Sequence, residues 1–428
     1  MTLSPPNFLR FLFAPLVVFA AVLAVLMAVN GGGAPSLSVS SDPGAPTGDA
    51  VADFQRAVRA APDNAGAYAG LGSAYLARAR DTGDPGFYSR AERTFDAALR
   101  RDPGDLGALI GSGTLAGLRH DFRAQLVLGR RAAAVAPRLA RPLTVIADAQ
   151  IELGRYAAAE RSIQRLVDAK PGLAAYSRAS YYRELSGDTA GAVEAMRLAA
   201  SAGGTPENVA YVQALLGDLE LQRGRVDAAR LAYTAALRAL PGYPAGTVGL
   251  ARADAAGGDL GRAAARLRRA AQRLPLTSTL GLLAQVERAQ GHQAVAAAAL
   301  DTARAQQGLY RAAATAPDAE AVLFEADHGS PADAVALGRR VWTAAPSVRS
   351  ADALGWALTR AGRPGAGYAF ARRAVALGSR DASFRLHAGI AGKEAGLPGP
   401  AARHLAIAFG ARAALGPQAR ALLEEARR

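Results

Sequence analysis

The chain has 428 residues, half of them apolar, a formal charge of +14 and no cysteine. The missing thiols exclude disulfides, thiolate catalysis, cysteine-based metal sites and lipid attachment through an N-terminal Cys. Of the 50 basic residues all but Lys170 and Lys393 are Arg, a bias that fits GC-rich coding better than a selected surface; the alternative is a face that attracts polyanions.

Residues 11–29 are 19 consecutive residues without a charge. As a helix they reach about 28 Å, the thickness of the hydrocarbon layer. Arg10 precedes them, and no further basic residue follows until Arg56, whereas Asp42 and Asp49 do. The positive-inside rule therefore predicts an N-terminal transmembrane helix, a signal anchor over residues 1–30, with the remainder outside the cytoplasm. The expectation is a single-pass protein of the cell membrane. Secretion after cleavage near Ala28-Val29-Asn30-Gly31 is the first alternative, and a cytoplasmic body tethered to the membrane is the second. Residues 31–48, rich in Gly, Ser and Pro, read as a flexible linker.

Beyond the linker a period sets in. Pro103, Pro137, Pro171, Pro206, Pro241 and Pro275 follow at steps of 34, 34, 35, 35 and 34 residues. That length holds two short helices and their turns, so the period predicts a repeat array. Small residues recur at fixed offsets: Ala147 and Ala159, Ser180 and Ala192, Gly217 and Ala229, Ala251 and Ala263. Four residues after the second of each pair stands a larger one: Ile163, Met196, Tyr233 and Leu267. Small residues let two helices approach closely and the large one fills the groove between them. Ala229 should lie at such an approach, and Arg230, the next residue around the helix, should face solvent. Gly154, Gly187, Gly224 and Gly258 mark the turns within each pair, and the prolines stop the second helix. In such an array each repeat is expected to touch only its neighbours.

This pattern resembles the tetratricopeptide repeat family. The closest copy runs Tyr68, Leu71, Gly72, Tyr75, Ala91, Phe95, Ala98, Pro103, with about seven residues inserted between Tyr75 and Ala91. A second is Leu216, Gly217, Ala229, Tyr233, Ala236, Pro241, and Ala50, Phe54, Ala57, Pro62 has the spacing of a lone second helix. Later copies are weaker, with Gln285, Ala297 and Arg304 off the pattern and a few surplus residues over 309–317. Gly355, Trp356, Ala374, Ala401 and Ala408 restore it. More narrowly, the chain resembles exported, membrane-anchored tetratricopeptide proteins of actinobacteria, on Tyr181-Tyr182-Arg183-Glu184-Leu185 and Arg385-Leu386-His387-Ala388-Gly389. The resemblance implies an all-α, right-handed superhelical solenoid of about ten helix-turn-helix repeats over residues 49–413 and a capping helix over 414–428.

It also implies a non-enzymatic scaffold without cofactors, binding peptides or proteins of the envelope or the exported set in a concave groove lined by first helices. Projected onto this chain, the groove-facing candidates are Arg141, Asp148, Tyr181, Glu184, Tyr211, Asp218, Arg252, Arg349, Asp352 and Trp356. The family's clamp for the C-termini of heat-shock chaperones needs Lys and Asn on the inner face; two lysines and Asn7, Asn30, Asn64 and Asn208 do not supply it.

Other motifs are refused. Gly111-Ser112-Gly113 with Gly117 imitates a dinucleotide fingerprint, but its last glycine is one place late and no strand pattern precedes it. Residues 389–393 lack the glycine spacing of a phosphate loop. His120, His292, His328, His387 and His404 form no ligand pair one turn apart, so no metal site is expected. The densest basic knot, Arg262, Arg266, Arg268, Arg269 and Arg273, has no aromatic platform beside it, which argues against nucleic acid. Two functions from different classes remain: the tethered protein scaffold, and a polyanion-binding envelope module for acidic glycans or lipids.

Overall fold

The computed structural model describes residues 49–428; the membrane segment and linker read at 11–29 and 31–48 lie outside the described residues. Among the described residues every regular element is helical, and no helix is long and apolar enough to cross a membrane. A lone helix, α1 (Ala50–Ala60), precedes ten antiparallel pairs. The first five are α2 (Ala65–Thr82) with α3 (Gly86–Arg101), α4 (Leu106–Leu118) with α5 (Phe122–Val135), α6 (Arg141–Glu152) with α7 (Tyr156–Ala169), α8 (Leu173–Glu184) with α9 (Thr189–Ser201), and α10 (Pro206–Gln222) with α11 (Val226–Ala239). The next five are α12 (Pro244–Ala256) with α13 (Leu260–Arg273), α14 (Thr277–Ala289) with α15 (Gln293–Ala312), α16 (Ala319–His328) with α17 (Pro331–Ala344), α18 (Val348–Arg360) with α19 (Pro364–Ala374), and α20 (Ala382–Glu394) with α21 (Pro398–Gly410). A 3₁₀ turn at Arg412–Ala414 leads to the last helix, α22 (Pro417–Arg427).

The small-to-large spacing works as sterics require. The Tyr233 ring on α11 fills the gap between Gly217 on α10 and Gly249 on α12, where a Cβ at either glycine would collide with it. Its hydroxyl donates to Asp218 at 2.7 Å, so the most buried tyrosine of the array keeps a polar partner. Ala229 and Ala263 are fully buried at the predicted approaches. Five of the marker prolines follow a second helix, but Pro206 does not end one. It is the first residue of α10, because α9 stops at Ser201 and residues 202–205 turn. The missing N–H of proline is harmless there.

The array does not stay open. The C-terminal repeats fold back along the inner side of the earlier ones, and contacts span some two hundred residues. The Val348 N–H donates to the Tyr156 hydroxyl at 2.6 Å, and Gln222 donates to Asp381 at 2.9 Å. Arg420 donates to the Ala255 carbonyl at 2.8 Å, and Arg123 to that of Thr343 at 2.9 Å. Ile151, Tyr182 and Leu185 share one apolar cluster with Val348, Ala351 and Phe384. The expectation that repeats contact only their neighbours is therefore wrong for this chain. The first helices α4, α10 and α18 are buried on nearly all sides; α4 and α10 carry no polar stripe, and the charged Arg349 and Asp352 of α18 meet partners within the chain.

Candidate binding cavity

All ten groove-facing candidates sit on first helices, and closure gives most of them partners within the chain. Asp148 on α6 receives two hydrogen bonds from the buried Arg178 guanidinium, 2.8 and 2.6 Å long. Asp218 on α10 takes Tyr233 and Arg252, and Arg252 also donates to the Ala414 carbonyl at 3.3 Å. Arg349 on α18 lies between Glu152, 3.9 Å away, and Tyr181, so α18 is tied to both α6 and α8. Asp352 is buried against His387, 3.0 Å from its Nδ1, and the charge of Asp352 raises the histidine's pKa against the opposing effect of burial. Trp356 donates to Asp327 at 2.8 Å and stacks on His387, with centroids 4.4 Å apart. Tyr211 is buried, and Arg141 is half-buried at the start of α6. Glu184 is buried beside Asp381 and Asp218; desolvation and these like charges push its carboxyl well above the usual range.

Among the described residues, a cavity of about 520 Å³ lies where the first two repeats face the seventh and eighth. Helices α2, α3 and α4 wall one side and α14 to α17 the other. Both irregularities of the period contribute. The insertion between Tyr75 and Ala91 lengthens α2 to 18 residues and brings Gly83 and Tyr88 to the wall. The surplus residues near 309–317 lengthen α15 to 20 residues, adding Tyr310, and form the segment with Thr315 and Ala316. That segment is pinned at 3.1 Å from the Ala316 N–H to the Arg119 carbonyl, and at 2.6 Å from the Ala316 carbonyl to His120.

The lining is divided in character. Leu76, Leu118, Leu276, Tyr88 and Tyr310 give an apolar wall, the two tyrosine rings lying 6.5 Å apart. Asp318 and Glu320 stand opposite, at the start of α16. Glu320 accepts from both the hydroxyl and the N–H of Ser278, yet burial and then the Asp318 charge lift its pKa to about 8. Thr315, whose hydroxyl is buried, and Gln307 each leave a polar atom without a hydrogen-bond partner at this wall. Of the arginines in the lining, Arg311 and Arg340 are exposed, and the half-buried Arg80 pairs with Asp81 at 2.8 Å. Sequence reasoning missed Glu320, Thr315 and Tyr310. The signal was present as the two breaks in the period, taken separately because nothing linear links residues 83 and 310.

The basic knot on α13 is largely neutralised. Arg262 pairs with Asp259 at 2.7 Å, Arg266 with Asp254 at 2.7 Å and Arg268 with Glu287 at 2.5 Å.

No protein-family model and no curated protein matches the chain. Among solved structures it is similar to the human IFIT1 dimer with m7Gppp-AAAA, at 14% identity over 76% of each chain and a TM-score of 0.50. It is also similar to a tetratricopeptide repeat protein from Parabacteroides merdae, at 19% identity over 56% of this chain and 97% of that one, with a TM-score of 0.40. The Cut9–Hcn1 hetero-tetramer of the APC/C matches at 16% identity over 88% of this chain and 81% of that chain, with a TM-score of 0.38. At these identities the likeness is one of fold.

Proposed function

We propose that the chain is a non-enzymatic scaffold for protein partners, tethered to the membrane by residues 11–29 with its helical body outside the cytoplasm. The observation that carries the binding role is the mixed apolar and acidic cavity left between the first two repeats and the seventh and eighth of the closed array. Its volume lies in the range of small-ligand sites, so it suits a short stretch of peptide and not a long extended one. The closed groove thus narrows the expected mode from lengthwise peptide binding to insertion of one segment. A polyanion module is less favoured, because the basic knot is engaged in ion pairs and the cavity wall carries carboxylates.

The experiment is site-specific photocrosslinking in cells, with the photoreactive residue at Leu118 on the cavity wall or at Leu231 on the outer surface. Adducts to exported or membrane proteins from Leu118, absent from Leu231, are the expected result. Adducts to cytosolic proteins alone would overturn the location, and no cavity-dependent adduct would overturn the site. The polyanion alternative predicts retention on an acidic glycan that weakens steeply with salt.

A further inference from the structure

The cavity's polar wall specifies an end group. We propose, resting on the peptide-binding reading above, that the cavity receives the protonated amino terminus of a partner peptide, with the ammonium against Glu320, Asp318 and Thr315.

Four observations converge on this group. First, Glu320 and Asp318 stand together on the wall, and an arriving cation offsets the burial and the Asp318 charge that keep Glu320 protonated. Second, Thr315 is only 8% exposed and its hydroxyl lacks a partner, offering a lone pair to an N–H donor. Third, the Tyr88 and Tyr310 rings face the same space, suiting both the apolar body of a first residue and the cation beside it. Fourth, Gln307 carries an unpartnered amide N–H pair that can donate to the first peptide carbonyl.

An ammonium has three donors, and this wall supplies acceptors for all of them. A phosphate or carboxylate end would instead meet two carboxyl groups there, while of the lining cations Arg311 and Arg340 are exposed to solvent and Arg80 is engaged by Asp81. Near Glu320 lie also Arg349, which draws its pKa down, and His120, 3.9 Å from Asp318; Arg80 and Glu325 line the same cavity, Arg80 paired with Asp81 at 2.8 Å and Glu325 accepting from the Ser330 N–H at 2.7 Å. Arg349 and His120 already have partners too, Arg349 in Glu152 and Tyr181 and His120 in the Ala316 carbonyl. Held mostly protonated at neutral pH, Glu320 gives up its proton as the ammonium arrives, so each binding event releases close to one proton.

The test uses the full chain in detergent and lysine-free random peptides carrying a C-terminal fluorophore, in two pools with free or acetylated amino termini. By anisotropy at pH 7 the free pool should bind about tenfold or more tightly than the acetylated one, as loss of a charge-assisted hydrogen-bond set requires. Glu320→Gln should bring the two pools together. Thr315→Val, nearly isosteric, should weaken only the free pool, and circular dichroism reports whether either variant folds. With the tightest free-amine peptide, calorimetry in buffers of different ionisation enthalpy should show the proton release, lost in Glu320→Gln. Equal binding of both pools would overturn the amino-terminus proposal and leave the peptide-binding reading standing. Binding of neither pool by folded protein would overturn both. Preference for a capped RNA tetramer over both pools would overturn the proposal and point to a nucleic-acid ligand.

Discussion

Tyr233, Ala229 and Arg230 lie within one turn and a half of α11, and each meets a different surface. Ala229 has no exposed area, so Ala229→Trp overpacks the α10–α11–α12 contact and should cost about 1–3 kcal/mol or more, read as a lowered midpoint in urea. Arg230 corrects the sequence-based expectation of a solvent-facing side chain. It pairs with the buried Asp254 and donates to the Ala253 carbonyl at 2.9 Å, reaching the next repeat. Asp254 keeps Arg266, so Arg230→Ala should cost about 1–2 kcal/mol by the same measurement instead of nothing. Glu320 supplies a pH dependence with a definite sign. Its folded pKa is raised, so its contribution is fully present below about pH 4.5 and is lost as the pH rises through about 8. Asp381, raised by burial to about 6, acts in the same direction over a lower window. The stability of the wild type, read as its melting midpoint, should therefore fall between pH 5 and 8, by on the order of a few kcal/mol in unfolding free energy. Glu320→Gln should flatten the upper part of that fall, and an unchanged profile would remove Glu320 from the account.

At the scale of elements, most of the array was legible. The best-matched helix pairs and the leading half-repeat follow from spacing, because close helix approach needs small residues at fixed offsets, and the family resemblance carried the count to about ten pairs and a terminal helix, as the helices show. The turns at Gly154, Gly187, Gly224 and Gly258 are left-handed as anticipated. Two of them also carry information the repeat could not show. A Cβ on Gly154 would strike the Pro346 carbonyl, and one on Gly187 would stand 2.6 Å from that of Gly378. These turns touch the returning C-terminal wall. Gly154→Ala should thus lose more than the roughly 1 kcal/mol of a left-handed alanine, and amide exchange should accelerate both around the turn and near residues 345–350. Acceleration confined to the turn would mean that the far contact contributes nothing. The Gly-x-Gly near Gly111 needed no nucleotide: Gly111 on α4 packs on the Phe95 ring of α3.

For the molecule as a whole, closure was the part that the sequence concealed. A repeat motif encodes contacts between neighbours, and the interactions of Arg349 with Glu152 and Tyr181 obey no period. A partial sign was available in composition: α4 is apolar or small on every side, as a helix must be when the groove it lines is filled. Closure predicts cooperativity of an unusual kind for an array. Arg349→Ala leaves Glu152 buried without its cation, so exchange protection should drop together over residues 145–185 and 345–390, two stretches far apart in the chain. Loss confined to α18 would show that the halves unfold independently. The return of the chain also imposes an order in time. The walls of α6 and α8 are complete about two hundred residues before α18 and α20 leave the ribosome, about 10–40 s at ordinary synthesis rates. During that interval the side chains later covered by α18 and α20 face water or whatever else is at hand. The nascent molecule is therefore an open groove with its widest choice of occupants, and the finished one has already chosen itself.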